Sequence, residues 1–138
     1  MTNWLILSIV ALIFWGITGN TQKLSTNYVS TQFCFLGFAL AFIPIAILVA
    51  LVFPVETALS WEVIALGVLG GILNSLGALT SFAAFEKGAK SSVAVPIMYL
   101  YPLLTVLLAR LFLHEEITAP HWAGIFLAPV AAWLLSKE

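Results

Sequence analysis

His114 and His121 lie seven residues apart, with Glu115 and Glu116 directly after the first, and this is the densest group of metal-capable side chains in the 138 residues. A helical zinc pair needs its histidines four apart with a glutamate beside the first, so this spacing does not make one. There is no aspartate, which removes the aspartyl dyad of intramembrane proteolysis. A GxSxG nucleophile turn and a phosphate-cradling glycine loop are missing too. Cys34 is the single cysteine and has no cationic neighbour in sequence, so it reads as a buried, inert thiol. A lone cysteine also excludes a disulfide framework. The chain is read as no enzyme, with no metal and no cofactor.

Function must then be sought among small, polar and aromatic residues. Gly67, Gly70, Gly71, Asn74, Gly77, Ala78 and Ser81 recur at three- and four-residue steps and share one helical face. Two readings of this face stand. Gly67 and Gly71 form a GxxxG pair that lets two helices approach closely. Alternatively the face is the wall of a substrate cavity, with Asn74 as its hydrogen-bonding group. An unpaired polar group in lipid costs roughly 2–7 kcal/mol, so Asn74 must face protein or water.

Pro96 and Pro102 bracket Tyr99, and Tyr101 directly precedes the second proline, well inside an apolar run. Two prolines bend the helix and free backbone carbonyls, which suits either a kinked packing helix or a substrate pocket. Arg110, with Glu115 beyond it, reads as a snorkelling end-of-helix ion pair. Trp15, Asn20 and Thr105 complete the candidate pathway set of Trp15, Asn20, Asn74, Tyr99, Tyr101 and Thr105.

The solvent around these residues follows from composition. Hydrophobic residues make up 62% of the chain and charged residues 8%, at a mean hydropathy of +1.12. Soluble domains are about 45–50% apolar and about 25% charged. A net charge of -1 offers nothing to nucleic acid. Five charge-free runs, 1–22, 24–55, 63–85, 91–109 and 117–136, each reach about the 20 residues that a membrane helix needs. Backbone groups in lipid must be satisfied internally, and the runs show none of the alternation of barrel strands. The expectation is an all-α integral membrane protein, one domain over 1–138, with spans 4–19, 28–53, 63–85, 92–113 and 122–135. The first run lacks a basic start and reads as a span, not a cleaved signal. Lys23, Lys87, Lys90 and Lys137 fall on one side and Arg110 on the other, which predicts an outside N-terminus and a cytoplasmic C-terminus.

Three stretches together resemble one EamA-type repeat of the drug/metabolite transporter superfamily. Trp15-Gly16 followed by Lys23 looks like its WG-x6-K signature, and Ala84–Ala89 before Ser92–Pro96 is similar to its lead into the fourth helix. Tyr101–Thr105, then Leu111–Thr118 and Gly124, resembles the Pro, apolar run, acid, hydrophobic-Thr and Gly block, with Glu115 and Thr118 at the motif acid and threonine. The resemblance implies five helices of a fold that is usually ten, two repeats fused in opposite orientation around a cavity. It therefore implies an oppositely oriented partner, another copy or a sibling protein. The small multidrug resistance exporters share this logic but carry a first-helix glutamate, and residues 1–22 hold no acid.

The expectation is a subunit of the cytoplasmic (inner) membrane that moves a small neutral or zwitterionic metabolite by alternating access as a dimer. Two other functions remain open: a non-transporting scaffold or accessory subunit packing through Gly67, Gly70, Gly71 and Gly77, and a flippase of a lipid-linked small molecule.

Overall fold

The computed structural model describes residues 3–55 and 59–137. Among them every regular element is helical. Residues 56–58, between the second and third expected spans, lie outside the described residues.

Five helical segments are long and apolar enough to cross a bilayer: Trp4–Thr26, Thr31–Val52, Trp61–Glu86, Ser91–Leu113 and Ala119–Ser136. They fall where the charge-free runs placed them. No more than 6% of the apolar window of any span is buried within the chain, so these surfaces belong to lipid or to a partner. The chain is a multi-pass membrane protein that divides into two units, Met1–Gly88 and Ala89–Glu138.

The first unit holds α1 (Asn3–Thr26), α2 (Thr31–Val52) and α3 (Trp61–Glu86), each packed against the other two. Helix α1 continues well past Gly19, where its sequence expectation ended. Its polar last turns stay helical because hydroxyls bond back along the helix: Thr21 donates to the Thr18 carbonyl (2.9 Å), Ser25 to Gln22 (2.8 Å) and Thr26 to Lys23 (2.9 Å). Helix α3 begins at Ser60, whose Oγ accepts from the Val63 amide at 3.4 Å, and Glu62 lies in its positive first turn. It ends with Gly88 at φ +97, a left-handed position that glycine occupies without steric cost, and the Gly88 amide donates to the Phe85 carbonyl at 3.0 Å.

Burial in this unit is confined to one end. Gly19, Thr31, Cys34, Ala78, Phe82 and Phe85 are buried, whereas every residue from Trp4 to Ile17, Ala39 to Val55 and Leu59 to Gly77 is exposed.

The second unit is built from α4 (Ser91–Met98), α5 (Tyr101–Leu108), a π-helical turn (Ala109–Leu113) and α6 (Ala119–Ser136). Helices α4 and α6 pack together, and the buried residue of each is an alanine, Ala94 and Ala132, small enough for close approach. The fourth span is interrupted at Tyr99–Leu100. Pro102 has no N–H to offer the carbonyl four residues earlier, and the chain tightens instead: Leu100 N–H donates to Ile97 (3.2 Å) and Leu103 N–H to Leu100 (2.9 Å), each only three residues back. Pro96 is accommodated inside α4. The span finishes in the π turn and a left-handed His114 (φ 56), an ending the sequence reading did not anticipate.

Candidate functional site

Polar side chains inside the spans fall into two groups. The hydroxyls satisfy themselves on their own helix: Ser8 on Trp4 (2.8 Å), Thr18 on Phe14 (2.8 Å), Ser75 on Gly71 (2.8 Å), Thr80 on Leu76 (2.9 Å), Ser81 on Gly77 (2.8 Å). A side-chain amide carries two donors and an acceptor, so one bond back along its own helix does not satisfy it. Asn20 on α1 and Asn74 on α3 have no side-chain hydrogen-bond partner among the described residues.

Asn74 faces a groove of about 270 Å³ between α2 and α3, lined by Phe35, Phe38, Ala39, Phe42, Gly71, Asn74 and Ser75. That is near the small end of ligand pockets, about 300–1,000 Å³. Gly71 keeps the α3 wall low, and Ser75 presents a hydroxyl whose proton is already committed to the Gly71 carbonyl. The opposite wall is aromatic. Phe38 packs edge-on against Phe42 (centroids 5.1 Å, 80°) and against Phe82 of α3 (5.9 Å, 72°), which fixes its ring. The groove thus combines an apolar, aromatic face with one amide that can both donate and accept, and it contains no charge.

The sequence reading did not single out the three phenylalanines. Their spacing, at 35, 38 and 42, is that of a single helical face and was the available signal. Trp15 and Asn20 lie on α1 and are not part of this groove's lining.

In the second unit Tyr99 lies at the break and Tyr101 opens α5, their rings 6.1 Å apart and tilted at 45°. Thr105 donates to the Tyr101 carbonyl at 3.2 Å. The expected Arg110–Glu115 pair takes a different form. The Arg110 Nη1 donates to the Glu115 backbone carbonyl at 3.1 Å, so the guanidinium holds the loop that follows the π turn through main chain rather than through the carboxylate. Arg110 also lines a shallow cleft of about 300 Å³ with Glu116, Ile117 and Trp122, the last stacked on Phe126 at 6.1 Å. His121 Nδ1 pairs with the Thr118 hydroxyl at 3.2 Å.

The glycine face of α3 is open. A Cβ built at Gly67, Gly70, Gly71 or Gly77 meets nothing within 4 Å, so this chain's own helices do not fill the room those glycines leave.

A second feature escaped the sequence reading. Lys23 Nζ donates to the Phe85 carbonyl at 3.0 Å, and the Thr31 amide donates to Glu86 Oε2 at 3.2 Å, which ties the end of α1 to α3 and the start of α2 to α3. The partners are 62 and 55 residues apart in sequence, so no local pattern announces them.

Comparison with known proteins agrees with this architecture. The family model described as EamA-like transporter family matches residues 2–137. An uncharacterized protein of Methanocaldococcus jannaschii is 35% identical over 75 residues, 54% of this chain and 54% of that protein. The chain therefore spans about half the length of the curated relative it matches. No solved structure matches. With five apolar spans and a family match over nearly its whole length, the chain belongs to the EamA-like transporter family.

Proposed function

We propose that this chain is one repeat of a metabolite transporter, and that it pairs with an oppositely oriented copy or sibling to enclose a pathway worked by alternating access. The cargo is a small neutral or zwitterionic molecule. It crosses the cytoplasmic membrane, where the lysine distribution favours an outside N-terminus and a cytoplasmic C-terminus. The observation that carries this reading is the Asn74 amide, unpartnered among the described residues and facing the Phe35–Phe38–Phe42 wall. An amide at that depth is costly unless something polar meets it, and a passing substrate can do so. The groove holds no charge, which favours neutral or internally compensated cargo. Trp15 and Asn20 of α1 are proposed for this pathway as well, and in the second unit, taken by itself, Tyr99, Tyr101 and Thr105 with the Pro96 and Pro102 bends are proposed to serve transport.

The test is metabolite flux into proteoliposomes. Asn74→Leu, close in volume but without hydrogen bonding, should lower flux at least about tenfold, the effect of losing roughly one well-made hydrogen bond, with insertion and yield unchanged. Wild-type flux in that variant removes Asn74 from the pathway.

A non-transporting scaffold is the second reading, favoured by the open face at Gly67, Gly70, Gly71 and Gly77. Under that reading purified protein moves no metabolite at all, and Gly71→Leu disrupts co-purification with a partner.

A further inference from the structure

Two of the three helix ends at the closed end of Met1–Gly88 lack a charge that a neighbour supplies. Helix α2 begins without an acidic residue in its first turn, and its Ser30 N-cap makes no side-chain bond. Helix α3 ends without a basic residue in its last turn. Glu86, from the end of α3, accepts from the Thr31 amide at the positive start of α2, and Lys23, from α1, donates to Phe85 at the negative end of α3. Both charges therefore sit against the helix pole that attracts them.

Directly inside this exchange lie Phe85 (1% exposed) and Phe82 (3%), and Phe82 touches Phe38 of the Asn74 groove. Cys34, one residue before the groove's Phe35, is 7% exposed, and its Sγ donates to the Val29 carbonyl at 3.7 Å. On the far side of the groove the helices leave each other exposed, as described above.

Closure has a cost. The Thr31 hydroxyl is buried without a hydrogen-bond partner among the described residues. A buried orphan of this kind favours any rearrangement that returns it to water. Glu86 itself is exposed and Lys23 half-buried, so water can compete for both contacts.

We infer that Lys23 and Glu86 form a reciprocal helix-end clamp that holds one mouth of the Asn74 groove shut, and that its release is the opening step on that side. Both are positioning residues, since neither lines the groove. The gating role rests on the transport reading; the clamp itself does not.

The single native thiol reports on the clamp independently of flux. Cys34 in the full chain in liposomes is titrated with N-ethylmaleimide. Wild type should react slowly. Glu86→Ala and Lys23→Met should react about tenfold faster, as the open population rises with the loss of one charge-assisted bond. Glu86→Gln retains an acceptor oxygen but loses the charge, and should react at a rate between those of wild type and Glu86→Ala. Thr31→Val removes the stranded hydroxyl at constant shape and should react more slowly than wild type. Unchanged reactivity in Glu86→Ala and Lys23→Met, or faster reaction in Thr31→Val, overturns the clamp. Equal acceleration in Glu86→Ala and Glu86→Gln does so as well, because general loosening would then be the cause. If the thiol pattern holds in a protein that carries no metabolite, the transport reading fails and the clamp survives.

Discussion

Serine and threonine hydroxyls can be hidden in a helix that faces lipid, because each donates its one proton to the carbonyl three or four residues back, whereas an asparagine amide keeps a second donor and an acceptor even after such a bond. That difference separates Ser75, bonded to Gly71 at 2.8 Å, from Asn74 beside it, and makes Asn74 the residue whose presence needs an external reason. The position was conspicuous in the sequence as the one amide in the charge-free run 63–85. The wall opposite was not, because phenylalanines in an apolar span look like lipid-facing bulk until a second helix is placed against them. Gly88 is a residue-scale constraint of another kind. Its φ of +97 strains any side chain, although open space surrounds the position. Gly88→Ala should therefore destabilise the protein by about 1 kcal/mol through backbone strain alone, seen as a lower thermal midpoint in detergent.

At the scale of elements, charge-free runs located all five spans, since only a helix satisfies its backbone across a bilayer. Span ends were harder to read. Polarity predicted that α1 would stop near Gly19, yet back-bonded hydroxyls and the Lys23–Phe85 contact carry it to Thr26. The two prolines announced a bend in the fourth span, and the chain indeed breaks between them. The π turn that follows has no comparable local signal. Tyr99 (φ -79, ψ 13) and Leu100 (φ -78, ψ -4) stay close to helical geometry, so little besides the missing Pro102 N–H keeps the two halves apart. Pro102→Ala should let residue 102 bond to the carbonyl four residues back and fuse α4 with α5. Hydrogen exchange of amides 99–101 would then slow about tenfold or more, and flux would fall if the break serves the pathway.

For the molecule as a whole, the main fact is how little of its apolar surface it covers by itself. A span with 0% of its window buried, as in the second, third and fourth, has no enclosed interior of its own to offer a solute. Lipid can cover such faces, but only another protein surface can convert a groove into a pathway. The Lys23–Glu86 exchange shows the same incompleteness managed locally: contacts spanning 62 and 55 residues close one end of three helices and leave the rest open. Contacts at that separation depend on the folded arrangement of all three helices, which is why composition and periodicity were silent about them.

The concealment of Cys34 bears on how two such chains could stay together. With its one sulfhydryl 7% exposed, the protein has no ready oxidative crosslink to a sister molecule. Any pairing then rests on non-covalent contacts and depends on crowding in two dimensions. Diluting a fixed amount of protein into ever more phospholipid should lower the activity per chain, with a midpoint that reports the dissociation constant within the bilayer. A solitary working unit would show the same activity per chain at every dilution.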